Sequence, residues 1–346
     1  MMVPHYKPSF GEAEKLAVRQ VLDSGFIAQG PKVRELENLL SKALGKQFGI
    51  AVSSGTTALI LALRALKVTS GSEVIIPSYT CTALWHAVKA VNATSVFADI
   101  ENRTWNLDPE DIYRKITKKT SAIIFPHMFG QPGRIRELLD YGIPVIEDIA
   151  QAFGAKIKGK PAGFYGTISI CSFYATKILC GGEGGMLFTD SAEIDSYLRN
   201  IRDYDEKESL IPRINAKMTD IHAAIALAQY HRFSEFTEKR KRILTQYSSV
   251  RGNHRILIPT DSTEFQPNLF RCIIDHPEKS ADELIQLGKK SDITVRKPVF
   301  YPIHYYLNDN KLPHTESAWK KQVSIPIFPN MTGKEIERVM NFLKQL

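Results

Sequence analysis

Ser172-Phe-Tyr-Ala-Thr-Lys177, closed by Gly181-Gly-Glu-Gly-Gly185, is the stretch from which the rest of this chain is read. The apolar run before it, Thr167-Ile-Ser-Ile-Cys-Ser-Phe173, has strand character. Lys177 therefore falls just beyond a strand and just before a glycine-rich turn. A lysine held in such a dry position loses affinity for its proton and is freed as an amine nucleophile. The competing reading of one isolated lysine is a snorkelling surface side chain. A second segment, Val145-Ile-Glu-Asp148-Ile-Ala-Gln151-Ala-Phe-Gly154-Ala, weighs against that, because it brings a carboxylate to the end of another apolar strand.

An amine and a carboxylate on adjacent strand ends meet the needs of pyridoxal 5'-phosphate. One group bonds the aldehyde, and the other keeps the pyridine nitrogen protonated. A phosphate cradle is also present. Ser53-Ser-Gly-Thr-Thr-Ala-Leu59 joins an apolar strand to a helix, with Gly55 permitting a close approach. Backbone N–H groups at the positive helix end, with the Thr56 and Thr57 hydroxyls, suit an anion. The same residues satisfy an ordinary helix N-cap, so the two readings stand level at this point. Ser172, five positions before Lys177, is the candidate partner donor.

The bulk composition removes other classes. With 346 residues, 43% hydrophobic and 24% charged, the chain has ordinary globular composition, enough for one large and one small domain. No window approaches ~20 uninterrupted apolar residues, which argues against a membrane span. The N-terminal Met1-Met-Val-Pro-His-Tyr-Lys lacks the apolar centre of a signal peptide. Cys81, Cys171, Cys180 and Cys272 show no metal-type spacing, so no metal site is expected and reduced thiols in the cytoplasm are. The net charge of +8 is spread among acids, the one cluster being Glu238-Lys-Arg-Lys-Arg242 on a helical pattern. That excludes a basic stripe for nucleic acid and favours encounter with an anionic small substrate.

Along the chain, strands alternate with helices. Helical patterns cover Pro8–Asp23, Lys32–Leu44, Thr57–Leu66 and Thr82–Val91. Strand patterns cover Phe48–Val52, Ser72–Ile76, Ala93–Ala98, Ser121–Phe125, Ile143–Glu147 and Met186–Thr189. This alternation predicts an α/β fold, a largely parallel sheet with ligands at the carboxyl ends of its strands. A long helix is expected over Thr219–Gln246, broken near His231. Beyond it the texture becomes α+β, with strands at Arg255–Ile258, Phe270–Ile274 and Thr294–Arg296 and helices at Ala281–Lys289 and Gly333–Gln345. The expected partition is a large domain over 1–235 and a small C-terminal domain over 236–346.

Taken in order, SSGTTAL, VIEDIAQAFGA and SFYATKILCGGEGG resemble the DegT/DnrJ/StrS family of pyridoxal-phosphate sugar aminotransferases. Ser24-Gly-Phe-Ile-Ala-Gln-Gly-Pro31 resembles the family's N-terminal glycine motif, and Phe125-Pro-His-Met-Phe-Gly-Gln-Pro132 its histidine-glycine loop. Ile214-Asn-Ala-Lys-Met218, Phe300-Tyr-Pro-Ile-His304 and Val323-Ser-Ile-Pro-Ile-Phe-Pro329 resemble its later motifs. The resemblance implies a fold type I transferase: a large domain with a mostly parallel mixed sheet flanked by helices, plus a small α+β domain.

It also implies roles. Lys177 would form the Schiff base and carry the proton to and from the substrate carbon, while Asp148 pairs with the pyridine nitrogen. Gln151 would contact the ring, and Gly55, Thr56, Thr57 and Ser172 would hold the phosphate. Asn215 would reach the phosphate of the other subunit of a homodimer. Glutamate would be the amino donor, and a nucleotide-linked keto-deoxy sugar the acceptor. Lys217, Tyr301 and His304 are candidate substrate contacts. Two departures stand out: Cys81 occupies a position where the family often stacks an aromatic ring, and Asn215-Ala-Lys217 carries lysine where arginine is common. Two other outcomes belong to the same fold, a sugar dehydratase and a non-catalytic regulator. The dehydrating relatives carry histidine at the position of Lys177. His127 reads equally as a satisfied buried histidine and as a substrate contact. Glu183 reads as a brace of the glycine turn, and Trp85, His86 and Tyr174 as packing.

Overall fold

The computed structural model describes residues 2–257, 263–309 and 311–346. Met1, and Ile258 of the expected strand Arg255–Ile258, lie outside the described residues. An N-terminal arm leads into helices α1 (Glu12–Ser24) and α2 (Pro31–Leu44). Alternation then begins: β1 (Phe48–Val52), α3 (Gly55–Ala65), β2 (Glu73–Pro77), α4 (Ala83–Ala90), β3 (Thr94–Ala98), α5 (Pro109–Lys115), β4 (Thr120–Pro126), α6 (Ile135–Leu138) and β5 (Val145–Asp148). The two-residue strands β6 (Lys156–Ile157) and β7 (Lys160–Pro161) form a hairpin, followed by β8 (Ile168–Ser172), β9 (Gly185–Thr189) and α7 (Ala192–Ile201). Helices α8 (Asp220–His231) and α9 (Phe233–Ser248) cover the expected long helical stretch, with the expected break falling at Arg232.

Seven strands form the main sheet in the order β1-β9-β8-β5-β4-β2-β3. Only the pairings of β9 are antiparallel. The strands are apolar on both faces, as a helix-covered sheet requires. One core, including Ile50, Leu59, Val74, Ile124, Ile146 and Leu187, packs beneath α3 and α4. The other, including Leu36, Ile149, Phe173, Phe188 and Leu227, packs beneath α2 and α8.

Beyond α9 come β10 (Arg255–Ile256), β11 (Phe265–Gln266), β12 (Cys272–Asp275), α10 (Ala281–Lys290), α11 (Ile303–Leu307), α12 (Pro313–Lys321), β13 (Val323–Ile325) and α13 (Gly333–Lys344). Strands β10, β12 and β13 make a second sheet, and β11 joins the β6–β7 hairpin. A separate core forms here from Tyr247, Cys272, Leu284, Val323 and Phe342, and it includes Val3 of the N-terminal arm. Helix α9 supplies Phe233 to the core beneath α2 and α8, and Ile243 and Tyr247 to this one.

Two local expectations change. The first helix starts at Glu12, not Pro8, because Gly11 with Glu14 forms its N-terminal cap and leaves Pro8 in the arm. Thr294–Arg296 forms no strand; only Arg296 makes an isolated bridge, to Ser324. The glycine motif before α2 has a structural explanation. Asp220 at the start of α8 accepts from the N–H groups of Gly30 (2.8 Å), Lys32 (2.9 Å) and Val33 (3.0 Å). A Cβ on Gly30 would lie 2.8 Å from that carboxylate, so glycine allows the approach.

Candidate active site

The register of the sheet brings the notable residues to one edge. Val52 and Ser172 both pair with Gly185, and Asp148 pairs with Pro126 on one side and Ile170 on the other. The carboxyl ends of β1, β8, β5 and β4 therefore line up, which is where α/β sheets bind ligands. The loop from β1 to α3 is capped by Ser54, whose Oγ accepts from Thr57 N–H at 3.0 Å. Thr57 Oγ1 also bonds Ser54 Oγ (2.9 Å) and Ser53 Oγ (3.2 Å). Thr57 thus serves the cap, while Thr56 makes no side-chain hydrogen bond among the described residues. Ser172 Oγ accepts from Tyr174 N–H at 3.3 Å, which leaves its own O–H to donate. Gly55 faces Ser172 directly.

Asp148 closes β5 and is 7% exposed. Its Oδ1 accepts from Ala150 N–H at 2.8 Å. Burial pushes the Asp148 carboxyl above the usual carboxylate range, opposed by that N–H, by Lys177 and by His127. Lys177 is half-buried, and its backbone N–H bonds the Tyr174 carbonyl (2.8 Å) in the loop after β8. Burial lowers its ammonium below the ordinary lysine value; Cys81 and Asp148 oppose this, and Arg271 adds to it. The mutual influence of the two charges means that lysine and aspartate share one low-dielectric region. Lys177 Nζ also lies 5.8 Å from the centre of the Phe270 ring.

The layer beneath holds these groups in place. His127 Nδ1 accepts from Gly133 N–H (3.0 Å), so its Nε2–H donates to Glu147 Oε1 (2.9 Å). Glu147, fully buried, also accepts from the N–H groups of Gly163 (2.6 Å), Tyr165 (2.9 Å) and Gly166 (2.7 Å). His127 is a satisfied core histidine, and Glu147, which sequence reasoning left aside, is the buried anchor of the β5–β8 region. Its signal was available: a carboxylate next to Asp148 on an otherwise apolar strand. Gln151 Oε1 accepts from Phe129 N–H (2.8 Å), which leaves its amide N–H groups free to reach a ligand.

The remaining candidates make no hydrogen bond to the Lys177 or Asp148 side chains among the described residues. Asn215 is exposed, although the neighbouring Ala216 carbonyl accepts from Ser53 N–H (2.8 Å) beside the cap. Lys217 is ion-paired with Asp203 and Asp205, both at 2.7 Å. His304 is 1% exposed, and Ser78 Oγ bonds both its Nδ1 (2.6 Å) and its backbone N–H (3.0 Å). Tyr301 packs edge-on against Tyr306 and Trp319 and at a tilt against Tyr305. Cys81 is exposed and close enough to Lys177 to act on its charge. Tyr174 is exposed, not packed; Glu183 is exposed; His86 is exposed but meets the Trp85 ring edge-on at 5.1 Å, and Trp85 packs against the core under α3.

The donor set fits pyridoxal phosphate. A carboxyl that burial makes costly without a positive partner suits a pyridine nitrogen. The Gly55–Ser172 cleft, which a Cβ would fill, and the N-terminus of the eleven-residue α3 suit a phosphate. Among the described residues no cluster of His, Cys, Asp or Glu is suited to a metal ion, and no helix is long and apolar enough to cross a membrane.

A family model described as the DegT/DnrJ/EryC1/StrS aminotransferase family matches residues 8–344. GDP-perosamine synthase of Escherichia coli O157:H7 is 33% identical over 349 residues, spanning 96% of this chain and 95% of its own. The aminotransferase TlmJ from Streptoalloteichus hindustanus superposes with a TM-score of 0.94 at 25% identity, covering 100% of this chain and 98% of TlmJ. DesV of S. venezuelae, solved in complex with a ketimine intermediate, superposes with a TM-score of 0.88 at 27% identity, covering 96% of this chain and 93% of DesV.

Proposed function

Because the chain belongs to the DegT/DnrJ/EryC1/StrS aminotransferase family, a pyridoxal-phosphate family, we propose that it moves an amino group from glutamate to the ketone of a nucleotide-linked keto-deoxy sugar. The observation that carries this reading is the pairing of Lys177 with Asp148 at one sheet edge, each altering the other's proton affinity, beside the Gly55–Ser172 cleft. When bound, pyridoxal phosphate supplies an aldehyde for amines and a ring that accepts an electron pair. Gly55, Thr56 and Ser172 hold its phosphate at the α3 N-terminus, with Thr57 shaping the loop. Asp148 holds a proton on the ring nitrogen, and Gln151 supports the ring from the same segment. Lys177, whose ammonium burial makes easier to deprotonate, takes the proton from the donor carbon and returns it during the second half-reaction.

We read the assembly as a homodimer in which the exposed Asn215 reaches the partner's cofactor phosphate. Apolar side chains exposed along α1 and the segment after it (Leu16, Leu22, Phe26, Ile27) support a buried interface there. Free thiols at all four cysteines agree with a cytoplasmic enzyme. Lysine at 177 favours amino transfer over the dehydratase outcome, and the retained Lys177–Asp148 pair favours turnover over a regulatory role.

The deciding experiment incubates the holoenzyme with ¹⁵N-glutamate and a panel of nucleotide keto sugars, read by mass spectrometry. Label in a nucleotide-linked amino sugar is the expected result. Loss of the sugar's water with no nitrogen gained would instead identify a dehydratase.

A further inference from the structure

On the Phe270 side of Lys177 lies a group of arginines. Arg271, on the residue before β12, stacks over the Phe270 ring at 5.0 Å, the same ring that the Lys177 amine approaches at 5.8 Å. Its Nη1 donates to His5 Nδ1 (2.7 Å), and His5 Nε2–H then donates to Ser324 Oγ (3.0 Å). Arg296, exposed, lies near enough to act electrostatically on both Arg271 and His5. Behind them Arg240, 1% exposed, bonds Tyr6, whose O–H donates to the Lys177 carbonyl (3.2 Å). The Arg240 Nε–H has no partner among the described residues. Among the described residues no carboxylate makes an ion pair with Arg240, Arg271 or Arg296. Burial and mutual repulsion pull the guanidinium of Arg271 down to about 10, which reflects charge gathered without compensation. Buried charge of this kind is costly unless an anion joins it.

We propose that Arg271 and Arg296 receive a carboxylate of the amino donor, with His5 holding the Arg271 guanidinium in position. This rests on the aminotransferase reading and names the donor's place in that site. The sequence offered Lys217 as a substrate contact, but two aspartates already neutralise Lys217. A carboxylate of an amino acid lies within a few bonds of the reacting amine, which matches a cation sharing Phe270 with Lys177. The diphosphate of a nucleotide sugar lies on the far side of the sugar ring from its ketone. Guanidinium forks also suit carboxylates in two-point contact.

The test uses holoenzyme carrying Arg271→Gln, Arg271→Lys or Arg296→Gln. Single-turnover reaction with glutamate reads the loss of the cofactor's visible absorbance, and calorimetry reads binding of unreactive glutarate. Losing a charge-assisted contact weakens binding about 10- to 100-fold. That loss is expected for glutamate and glutarate in the glutamine variants, with partial recovery in Arg271→Lys and unchanged cofactor absorbance before substrate. Loss of the preference for glutamate over alanine marks the distal carboxylate; an equal fall for both marks the α-carboxylate. Glutamate and glutarate affinities within about 2-fold of wild type in Arg296→Gln and in folded Arg271 variants overturn the proposal, as does a defect confined to the sugar half-reaction. If wild-type holoenzyme itself ignores glutamate, the donor reading fails first.

Discussion

Gly55 and Ser172 stand so close that a Cβ on Gly55 would lie 2.8 Å from the Ser172 Cβ and 3.2 Å from its Oγ. The first turn of α3 and the end of β8 are thus in direct contact, and only glycine at 55 lets the Ser172 hydroxyl lie against the α3 N-terminus. Gly55→Ala forces the two apart. Overpacking of this kind costs about 1–3 kcal/mol, which at 1.4 kcal/mol per tenfold is about 5- to 150-fold in cofactor affinity. Titration of apoenzyme with pyridoxal phosphate, followed by fluorescence, checks it; unchanged affinity would put the phosphate elsewhere.

Lys177→Ala removes the only lysine amine facing Asp148 among the described residues. Turnover is expected to fall by more than about 10²–10⁴-fold, the usual weight of a positioned acid–base group, with little change in melting temperature. Lys177→Arg does no better, because guanidinium stays charged. In the wild type burial lowers the amine's proton affinity, so the uncharged form gains as pH rises through a value below that of an ordinary lysine. Cofactor capture by apoenzyme therefore accelerates with pH in that lower range, as stopped-flow absorbance would record.

Asp148→Asn keeps the shape of the side chain and the acceptor for Ala150 N–H but loses the charge. Leaving a buried cation without its partner costs about 3–5 kcal/mol, or roughly 10²- to 5 × 10³-fold in kcat. Steady-state kinetics with the cofactor saturating separates this from loss of cofactor binding.

Much of this site was legible because its chemistry is written in contiguous residues at strand ends. The alternation of apolar strands and helices fixed which edge would carry Ser53–Thr57, Asp148 and Ser172–Lys177, since every parallel strand presents its carboxyl end to the same side. What escaped was tertiary. Glu147 reads as one more strand residue until the N–H groups of Gly163, Tyr165 and Gly166 converge on it. Asp220 reads as a helix start, yet it caps a different helix nearly 190 positions away. The cations around Arg271 come from the N-terminal arm, α9 and the second sheet, and no local pattern joins those segments.

Glu147→Gln tests that hidden anchor. Burial alone would raise this carboxyl, but the His127 bond and the glycine N–H groups outweigh it and hold its proton affinity below the ordinary value. A depressed carboxylate contributes stability that is fully present above its unfolded pKa, about 4.3, and is lost as pH falls through the lower folded value. The amide turns one acceptor into a donor facing N–H groups, so a loss of about 3–5 kcal/mol is expected at neutral pH, read by urea unfolding. The gap from wild type should narrow only on acidification below about pH 4.

Lys217→Ala separates a surface ion pair from a substrate contact. Its amine is held by Asp203 and Asp205 near the surface, where such pairs contribute about 0–1 kcal/mol. The hydrogen bonds it donates to Asp203 and Asp205 raise its proton affinity, so the charge stays paired across the working pH range. With the cation committed to two acids, its removal is expected to change the melting temperature little and KM for either substrate by less than about 3-fold. A tenfold or larger rise in KM for glutamate alone would show that the lysine leaves its aspartates to meet the donor, and the carboxylate site would then move from Arg271 to Lys217.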